Sequence, residues 1–216
     1  MLSLRLESLT KFVSYNDKII DIGCDHALLD IFLVKNDLVK NIIVSDINEG
    51  ALNQGRKNIE SEGLNKKIDA RLGNGFEVLT DKDYIDTVII SGMGTSTIIG
   101  ILSSDYLKNI NKLIIQSNND HTMLRKFITS QGFIIKNEEY FQDNKKNYIN
   151  IVFVRGTKKY SKIDITYGPI LKHNKPYLEF EISNIDKIDK LIPKNKIFLH
   201  FKLKKERRVL NKLLRK

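Results

Sequence analysis

Cysteine is nearly absent from this sequence, and its scarcity bears on two common ways of stabilising a fold, disulfide bonds and structural zinc sites. Cys24 is the only one, so no disulfide can form within the chain, and this predicts a cytoplasmic location. Cys24 and the four histidines show no pair at structural-zinc spacing, so we expect no metal. No apolar run is long enough to span a bilayer, and the first residues lack a secretory apolar core. We therefore expect no membrane segment and a mature N-terminus.

Basic residues outnumber acidic ones: the chain has 36 Lys and Arg and 26 Asp and Glu, and its net charge is +10. This excess favours a polyanionic partner, nucleic acid first, although solubility alone would also account for it. Residues 192–216 contain ten basic side chains and a single acid, Glu206. This basic segment indicates either a solvated helix face or a surface that binds a phosphate backbone.

Strand and helix patterns alternate along residues 18–131, which predicts a mainly parallel sheet with right-handed crossovers. Two further strands follow without a helix between them, so they should form a hairpin with one antiparallel strand. The predicted strands lie at 18–23, 41–47, 68–75, 87–93, 112–118, 133–141 and 148–156. The predicted fold class is α/β, with the Rossmann-like, seven-stranded sheet of the class I methyltransferase core.

Helical patterns surround this core. We predict helices at 2–15, 26–36, 48–62, after Gly94, from 119 or 120 to 131, at 176–191 and at 196–215. Residues 157–171 are predicted to be a linker, and the last two helices to form an αα-hairpin or short coiled coil. The predicted domains are a cofactor-binding core at 1–158 and a basic helical hairpin at 159–216.

Small and acidic residues gather where the predicted strands end, which is where ligands bind in doubly wound sheets. Asp46 ends the second strand, where an acid holds ribose hydroxyls, although it could also cap the next helix. The turn after the first strand, Gly23–Ala27, has no G-x-G-x-x-G pattern, and Asp25 would repel a dinucleotide pyrophosphate. A cationic sulfonium would tolerate that carboxylate, so the turn favours S-adenosylmethionine over NAD. The chain also has no Walker A motif.

Five short motifs together resemble one family. DIGCDHALL at 21–29, RLGNG at 71–75, SGMG at 91–94, QSN at 116–118 and YGPIL at 167–171 are similar to the bacterial tRNA (adenine-22-N1)-methyltransferases, TrmK. The resemblance covers nearly the whole chain in the same order. Two positions depart from the family pattern: Ser117 stands where proline is usual, and Thr95 stands where glycine is common.

The resemblance implies methyl transfer from S-adenosylmethionine to N1 of adenine 22 in the D-arm region of tRNA, with S-adenosylhomocysteine as product. Since the methylated ring is cationic, a carboxylate beside it would stabilise the transition state, and Asp25 is the candidate. Asp25 could instead cap a helix or contact the methionine amino group. The predicted cofactor-binding residues are Asp21, Gly23, Cys24, His26, Asp46, Ile47, Asn74, Gly75, Gly92, Met93 and Gly94.

The expected partner is tRNA, bound by a monomer. N1 lies on the Watson–Crick edge, so a paired adenine must be unpaired or flipped before attack. The predicted RNA-binding residues are Arg5, Asn118, Arg125, Lys202, Lys204, Lys205, Arg207 and Arg208, and Arg5 could alternatively contact the cofactor. Two other hypotheses stay open: a methyltransferase acting on another RNA, and a non-catalytic RNA-binding protein with a methyltransferase-like core.

Overall fold

A seven-stranded sheet with the order β3-β2-β1-β4-β5-β7-β6 forms the centre of the computed structural model, which describes residues 2–215. The strands are β1 Ile19–Ile22, β2 Ile42–Asp46, β3 Ile68–Leu72, β4 Thr87–Met93, β5 Lys112–Ser117, β6 Phe133–Asp143 and β7 Lys146–Arg155. Strands β1 to β5 pair in parallel, and β7 is antiparallel to both β5 and β6. The predicted class I methyltransferase architecture is therefore confirmed.

The central strands are rich in buried apolar residues because helices cover both faces of the sheet. All four residues of β1 are buried, and β-branched residues at such positions pack well on a pleated surface. The hairpin between β6 and β7 is longer than predicted. Asn144 and Lys145 form its two-residue turn with φ of 48° and 64°, the left-handed pair that matches the twist of paired strands.

Eight α-helices lie within the described residues. They are α1 Leu4–Thr10, α2 Leu28–Lys35, α3 Glu49–Ser61, α4 Thr95–Leu102, α5 His121–Ser130, α6 Lys162–Tyr167, α7 Lys175–Leu191 and α8 Ile197–Leu214. The first is shorter than the predicted 2–15 because the chain turns after Lys11, and Ser14 N then donates to the Asp17 carboxylate. Among the residues described, no helix is long and apolar enough to cross a membrane.

The segment predicted as a linker contains a helix, so that prediction was wrong. Ser161 and Asp164 form a capping box, in which each side chain accepts a hydrogen bond from the other residue's backbone, and α6 begins there. A 3-10 turn, Leu171–His173, follows. Gly168 separates the two with φ of 84°, and a Cβ there would lie 2.4 Å from the Glu138 carboxylate oxygens.

A buried ion pair attaches this segment to the core. Arg125 Nε donates to Glu138 Oε1 at 2.7 Å, and both side chains are fully buried. Arg125 Nη1 also donates to the carbonyl of Thr166 at 3.2 Å, and Glu138 Oε2 accepts from Ile170 N at 2.9 Å. The pair therefore connects α5 and β6 to the chain that leads into α7.

Helices α7 and α8 form the predicted antiparallel hairpin. Asp186 pairs with Arg207, and Asp189 pairs with His200, so positions along one helix match reversed positions along the other. The base of the hairpin packs into the main core, since Leu210 is fully buried there. The boundary predicted at residue 158 stays a prediction, and Met1 and Lys216, the outer ends of the two predicted domains, lie outside the described residues.

Candidate active site

A cavity of about 500 Å³ opens at the carboxyl ends of the central parallel strands. Its lining includes all but one of the predicted cofactor-binding residues: Asp21, Gly23, Cys24, His26, Asp46, Ile47, Asn74, Gly75, Gly92 and Met93. The exception, Gly94, lies just outside as the N-cap of α4. Parallel pairing brings these dispersed residues together, because it places every strand's carboxyl end at one edge of the sheet.

The turn after β1 is held in an unusual backbone conformation. Asp25 and Ala27 have φ of 52° and 55°, so α2 begins at Leu28 rather than at the predicted 26. Helix α3 supports the turn: Gly55 allows close approach to the Asp25 carbonyl, and Asn58 Nδ2 donates to the His26 carbonyl at 3.0 Å. Such a strained turn persists only where its surroundings determine it.

Gly23 makes the floor of the cavity possible. It has φ of 79°, and a Cβ there would lie 2.0 Å from Met93 Cε. Its amide and that of Cys24 both donate to the Ser45 carbonyl, at 2.7 and 3.1 Å. Burial raises the pKa of the Cys24 thiol well above its usual range, so this side chain is a neutral packing group rather than a nucleophile.

Asp46 faces the cavity with both carboxylate oxygens fixed. Oδ2 accepts from Asp25 N at 3.1 Å, and Oδ1 accepts from Asn48 N at 2.8 Å. The N-cap of α3 is Asn48, whose Oδ1 accepts from Ala51 N at 3.0 Å, so Asp46 is not the cap. Each carboxylate oxygen has a second lone pair, and Asp46 can therefore still accept a ligand hydroxyl.

A further carboxyl group, that of Asp30, lies behind the cavity, and the sequence patterns did not predict it. Asp21 lies on the face of β1 that packs against α2, where its carboxyl group neighbours that of Asp30. Both are buried. Burial raises the pKa of Asp21 to about 7, opposed by the neighbouring Asp30 carboxyl group and the Arg5 guanidinium. Burial, then the charge of Asp21, raises the pKa of Asp30 well above its ordinary value.

Asp25 sits at the mouth of the cavity. Its side chain is 72% exposed, and its carboxylate lies 3.6 Å from His26 Nε2. The backbone amide of Asp25 is bound to Asp46, so the residue is anchored by its main chain while its carboxylate projects outward. This geometry leaves the carboxylate free to meet a base brought to the rim.

Two of the predicted RNA-binding residues, Asn118 and Arg5, lie beside the cavity or in its lining. Asn118 is exposed, and its Nδ2 donates to the Gly92 carbonyl at 2.6 Å. Arg5 lines the cavity itself, with Nη1 donating to Gln116 Oε1 at 3.2 Å. Its position beside Asp21 favours the cofactor or the target base over a tRNA backbone as the partner of Arg5.

Arg125 is the predicted RNA contact that the structure contradicts. It is fully buried, and its guanidinium binds Glu138 and the carbonyls that precede α7. A side chain in this position cannot reach a phosphate at the surface. Its neighbour His121 is half-buried, and desolvation lowers the pKa of His121 to about 4.

The two positions that depart from the family pattern contact each other. Thr95 Oγ1 lies 2.7 Å from Ser117 Oγ, and both side chains are buried between the ends of β4 and β5. Thr95 Oγ1 also donates to the Asn119 carbonyl at 2.6 Å. The pair therefore shapes the loop that carries Asn118.

The cavity has the donors and acceptors that S-adenosylmethionine requires. Asp21 Oδ1 is buried and has no hydrogen-bond partner within the described chain, so a ligand ammonium would satisfy its carboxylate. Asp46 keeps acceptor capacity for ribose hydroxyls, and the exposed apolar side chain of Ile47 lies next to it. The residues present thus fit the cofactor. No cluster of three or more potential metal ligands occurs among residues 2–215.

Comparisons with known proteins agree with this site. A family described as "Methyltransferase domain" matches residues 2–151. The tRNA (adenine(22)-N(1))-methyltransferase of Bacillus subtilis is 29% identical over 174 residues, which cover 79% of this chain and 73% of that protein. TrmK of M. capricolum, solved with S-adenosylhomocysteine, is 34% identical, with a TM-score of 0.86 over 99% of this chain and 98% of the other.

Streptococcus pneumoniae Sp1610, solved in complex with S-adenosyl-L-methionine, is 30% identical. It superposes with a TM-score of 0.91 over 99% of this chain and 100% of its own. The likeness extends through the helical hairpin as well as the core, because nearly all of each chain is covered. The chain therefore belongs to the TrmK family of class I methyltransferases.

Proposed function

We propose that this protein transfers a methyl group from S-adenosylmethionine to N1 of adenine 22 in tRNA. The observation that carries the proposal is the acid-lined cavity with the exposed carboxylate of Asp25 at its mouth. The relatives named above support the same substrate, since one of them is named for this reaction. We further propose that the protein acts as a monomer in the cytoplasm.

The cofactor would be held by side chains and backbone around β1, β2 and β4. Asp21, Arg5 and Asp46 line the cavity. Asp21 and Arg5 would bind the ammonium and carboxylate of the methionine part, and Asp46 would accept hydrogen bonds from ribose. Asn74 and Gly75 would face the adenine ring. The cofactor supplies an electrophilic methyl group on a sulfonium centre.

The role of the protein is to position the base and to stabilise charge. Adenine N1 has a free lone pair, so no strong base is needed, and alignment with the methyl group accounts for much of the rate. The ring becomes cationic as the new bond forms. The carboxylate of Asp25 would stabilise that charge or accept a hydrogen bond from the exocyclic amine. Asn118 would hold the unpaired base at the rim.

The rest of the tRNA would be bound by the helical hairpin. Lys202, Lys204, Lys205, Arg207 and Arg208 are all exposed on α8. Arg207 is partly engaged, since its Nε lies 3.0 Å from Asp186 Oδ1 on α7. The remaining cations are available to neutralise phosphates, and such contacts weaken steeply with added salt.

The test is methyl transfer from labelled S-adenosylmethionine into unmodified tRNA, followed by identification of the product nucleoside and its position. N1-methyladenosine at position 22 is the expected result, and a transcript with guanosine at position 22 is the matched control. Label elsewhere would favour a methyltransferase acting on another site. Cofactor binding without label in any RNA would favour a non-catalytic RNA-binding protein.

A further inference from the structure

The outer face of α8 carries an uninterrupted stripe of exposed side chains. Its members are Phe198, Phe201, Lys205, Arg208 and Lys212, spaced by three, four, three and four residues, and we call this set the α8 stripe. At 3.6 residues per turn such spacing keeps all five on one side of the helix. That side is opposite the seam that packs against α7, where Leu203 and Leu210 lie.

Two aromatic rings at the end of a charged helix are costly to leave in water. Phe198 is 78% exposed and Phe201 is 63% exposed. Neither ring stacks on another aromatic side chain within residues 2–215. Their faces are therefore free for a ligand, and contiguous exposed apolar surface commonly marks an interaction site.

The cations of the stripe are also free. Lys205, Arg208 and Lys212 have no carboxylate within 4.0 Å in the part of the chain described. By contrast, Arg207 and His200, which face α7, are paired with acids of that helix. The field of the stripe is therefore uncompensated and directed outward, which favours a polyanion.

One class of ligand combines negative charge with flat apolar faces, namely RNA with unpaired bases. Aromatic side chains stack on bases in single-stranded segments, while basic side chains follow the phosphates. A paired stem hides its base faces inside the helix and would leave both rings unused. A second copy of this hairpin would bring the same positive charges against the stripe, so self-association is electrostatically disfavoured.

We propose that the α8 stripe binds an unpaired segment of the tRNA, with two bases stacked on Phe198 and Phe201 and the adjoining phosphates on Lys205, Arg208 and Lys212. This rests on the proposed function, and it adds a second contact at the tip of the hairpin. Phe198 lies about 18 Å along the helix from Leu210, whose side chain is buried in the core. The hairpin tip thus recognises a loop while the core methylates the base.

The experiment compares aromatic and aliphatic replacements in the full-length protein. Phe198→Leu with Phe201→Leu keeps apolar bulk but removes the flat rings, whereas Phe198→Tyr with Phe201→Tyr keeps them. We expect the Leu pair to weaken binding of unmodified tRNA about fivefold per ring, at the low end of the range for base–aromatic stacking. We expect the Tyr pair to bind like the wild type. Leu191→Ala is the matched control, because Leu191 is an 82% exposed apolar residue of the same tip outside the stripe.

Salt dependence separates the rings from the cations. The Leu pair should lower affinity equally at every salt concentration. Lys205→Ala with Arg208→Ala should flatten the dependence of log K on log salt by about 0.7 for each single-strand phosphate that is no longer neutralised. An unpaired oligonucleotide should compete with tRNA better than a duplex of equal length, and the Leu pair should lose this preference.

Several results would overturn the inference. Unchanged tRNA affinity in the Leu pair would do so, as would an equal loss in Leu191→Ala, which would indicate general apolar contact. If the wild type is a dimer and the Leu pair is a monomer, the stripe serves self-association. If the wild type binds anionic vesicles and the Leu pair does not, the stripe binds a membrane surface. Wild-type methyl transfer to tRNA is measured in the same preparations. If it is present, only the role of the stripe has failed; if it is absent, the proposed function fails as well.

Discussion

Replacing Asp30 by Asn should change how the stability of this protein depends on pH. Asp21 and Asp30 are buried together behind the cavity. Burial raises the pKa of both carboxyl groups, and the charge of Asp21 raises that of Asp30 further. An asparagine at position 30 has the shape of the protonated acid, and it stays neutral at every pH.

The expected magnitude follows from counting protons. Burial raises the pKa of Asp21 from 3.8 to about 7, and that of Asp30 well above 3.8. Above about pH 4 each folded group holds a proton that the unfolded chain has released, until the pH passes its folded pKa, so the free energy of unfolding falls as pH rises. Each group contributes up to about 1.4 kcal/mol per pH unit over that range. Asp30→Asn removes one of the two contributions, so the variant should lose less stability than the wild type for as long as Asp30 stays protonated.

Urea denaturation at pH 5, 6, 7 and 8 measures this difference, with ΔG extrapolated to water at each pH. Above pH 7, Asp21 is ionised in the wild type, so a further loss of stability that Asp30→Asn does not show would belong to Asp30. Asp105→Asn is the matched control, because the Asp105 side chain is 97% exposed, and its curve should run parallel to that of the wild type. If the free energy of unfolding depends on pH in the same way in Asp30→Asn and the wild type, folded Asp30 does not hold the extra proton.

Three further predictions concern the site and its supports. Asp25→Ala should bind S-adenosylmethionine as the wild type does, by calorimetry, yet turn over about a hundredfold more slowly; lost cofactor binding with normal residual chemistry would contradict this role. Arg125→Met should lower the free energy of unfolding by about 3–5 kcal/mol, because it leaves the buried Glu138 carboxylate unpaired, and adding Glu138→Leu should recover much of the loss. A double variant that is less stable than Arg125→Met alone would contradict this account of the ion pair. Thr95→Val and Ser117→Ala should each cost about 1 kcal/mol in urea denaturation but combine non-additively, since the two hydroxyls bond each other; strict additivity would show no coupling.

The positions of the strands along the chain could be predicted because hydrophobic periodicity is a local property of the sequence. Apolar runs ending in Gly, Asp or Asn identified β1, β2 and β4, and the helix-free connection between the last two strands predicted the antiparallel hairpin. Ten of the eleven residues predicted to bind the cofactor line the cavity. The role of each lining residue stays a proposal, since lining a cavity does not by itself identify a ligand contact.

Errors arose where a residue's environment depends on distant parts of the chain. Arg125 has the pattern of a surface cation on a helix, but the helix face it occupies meets β6, where Glu138 compensates its charge. Asp30 is one acid within an apolar helical run, and a lone acid in such a run is itself a signal of a buried partner. The missed helix α6 is an error of another kind, because the capping box at Ser161 is a local signal that would have predicted it.

The sequence by itself determined the elements, their order, the family and the strand ends at which a ligand would bind, because these follow from short-range patterns of side chains. Only the tertiary structure decided which polar groups became neighbours. It placed Asp30 behind Asp21, and it closed the hydrogen bond between Thr95 and Ser117. It also left Phe198 and Phe201 exposed on the side of α8 away from α7. The burial and pairing of a side chain depend on which surfaces meet in space, and the order of residues in one sequence does not show which residues will be in contact.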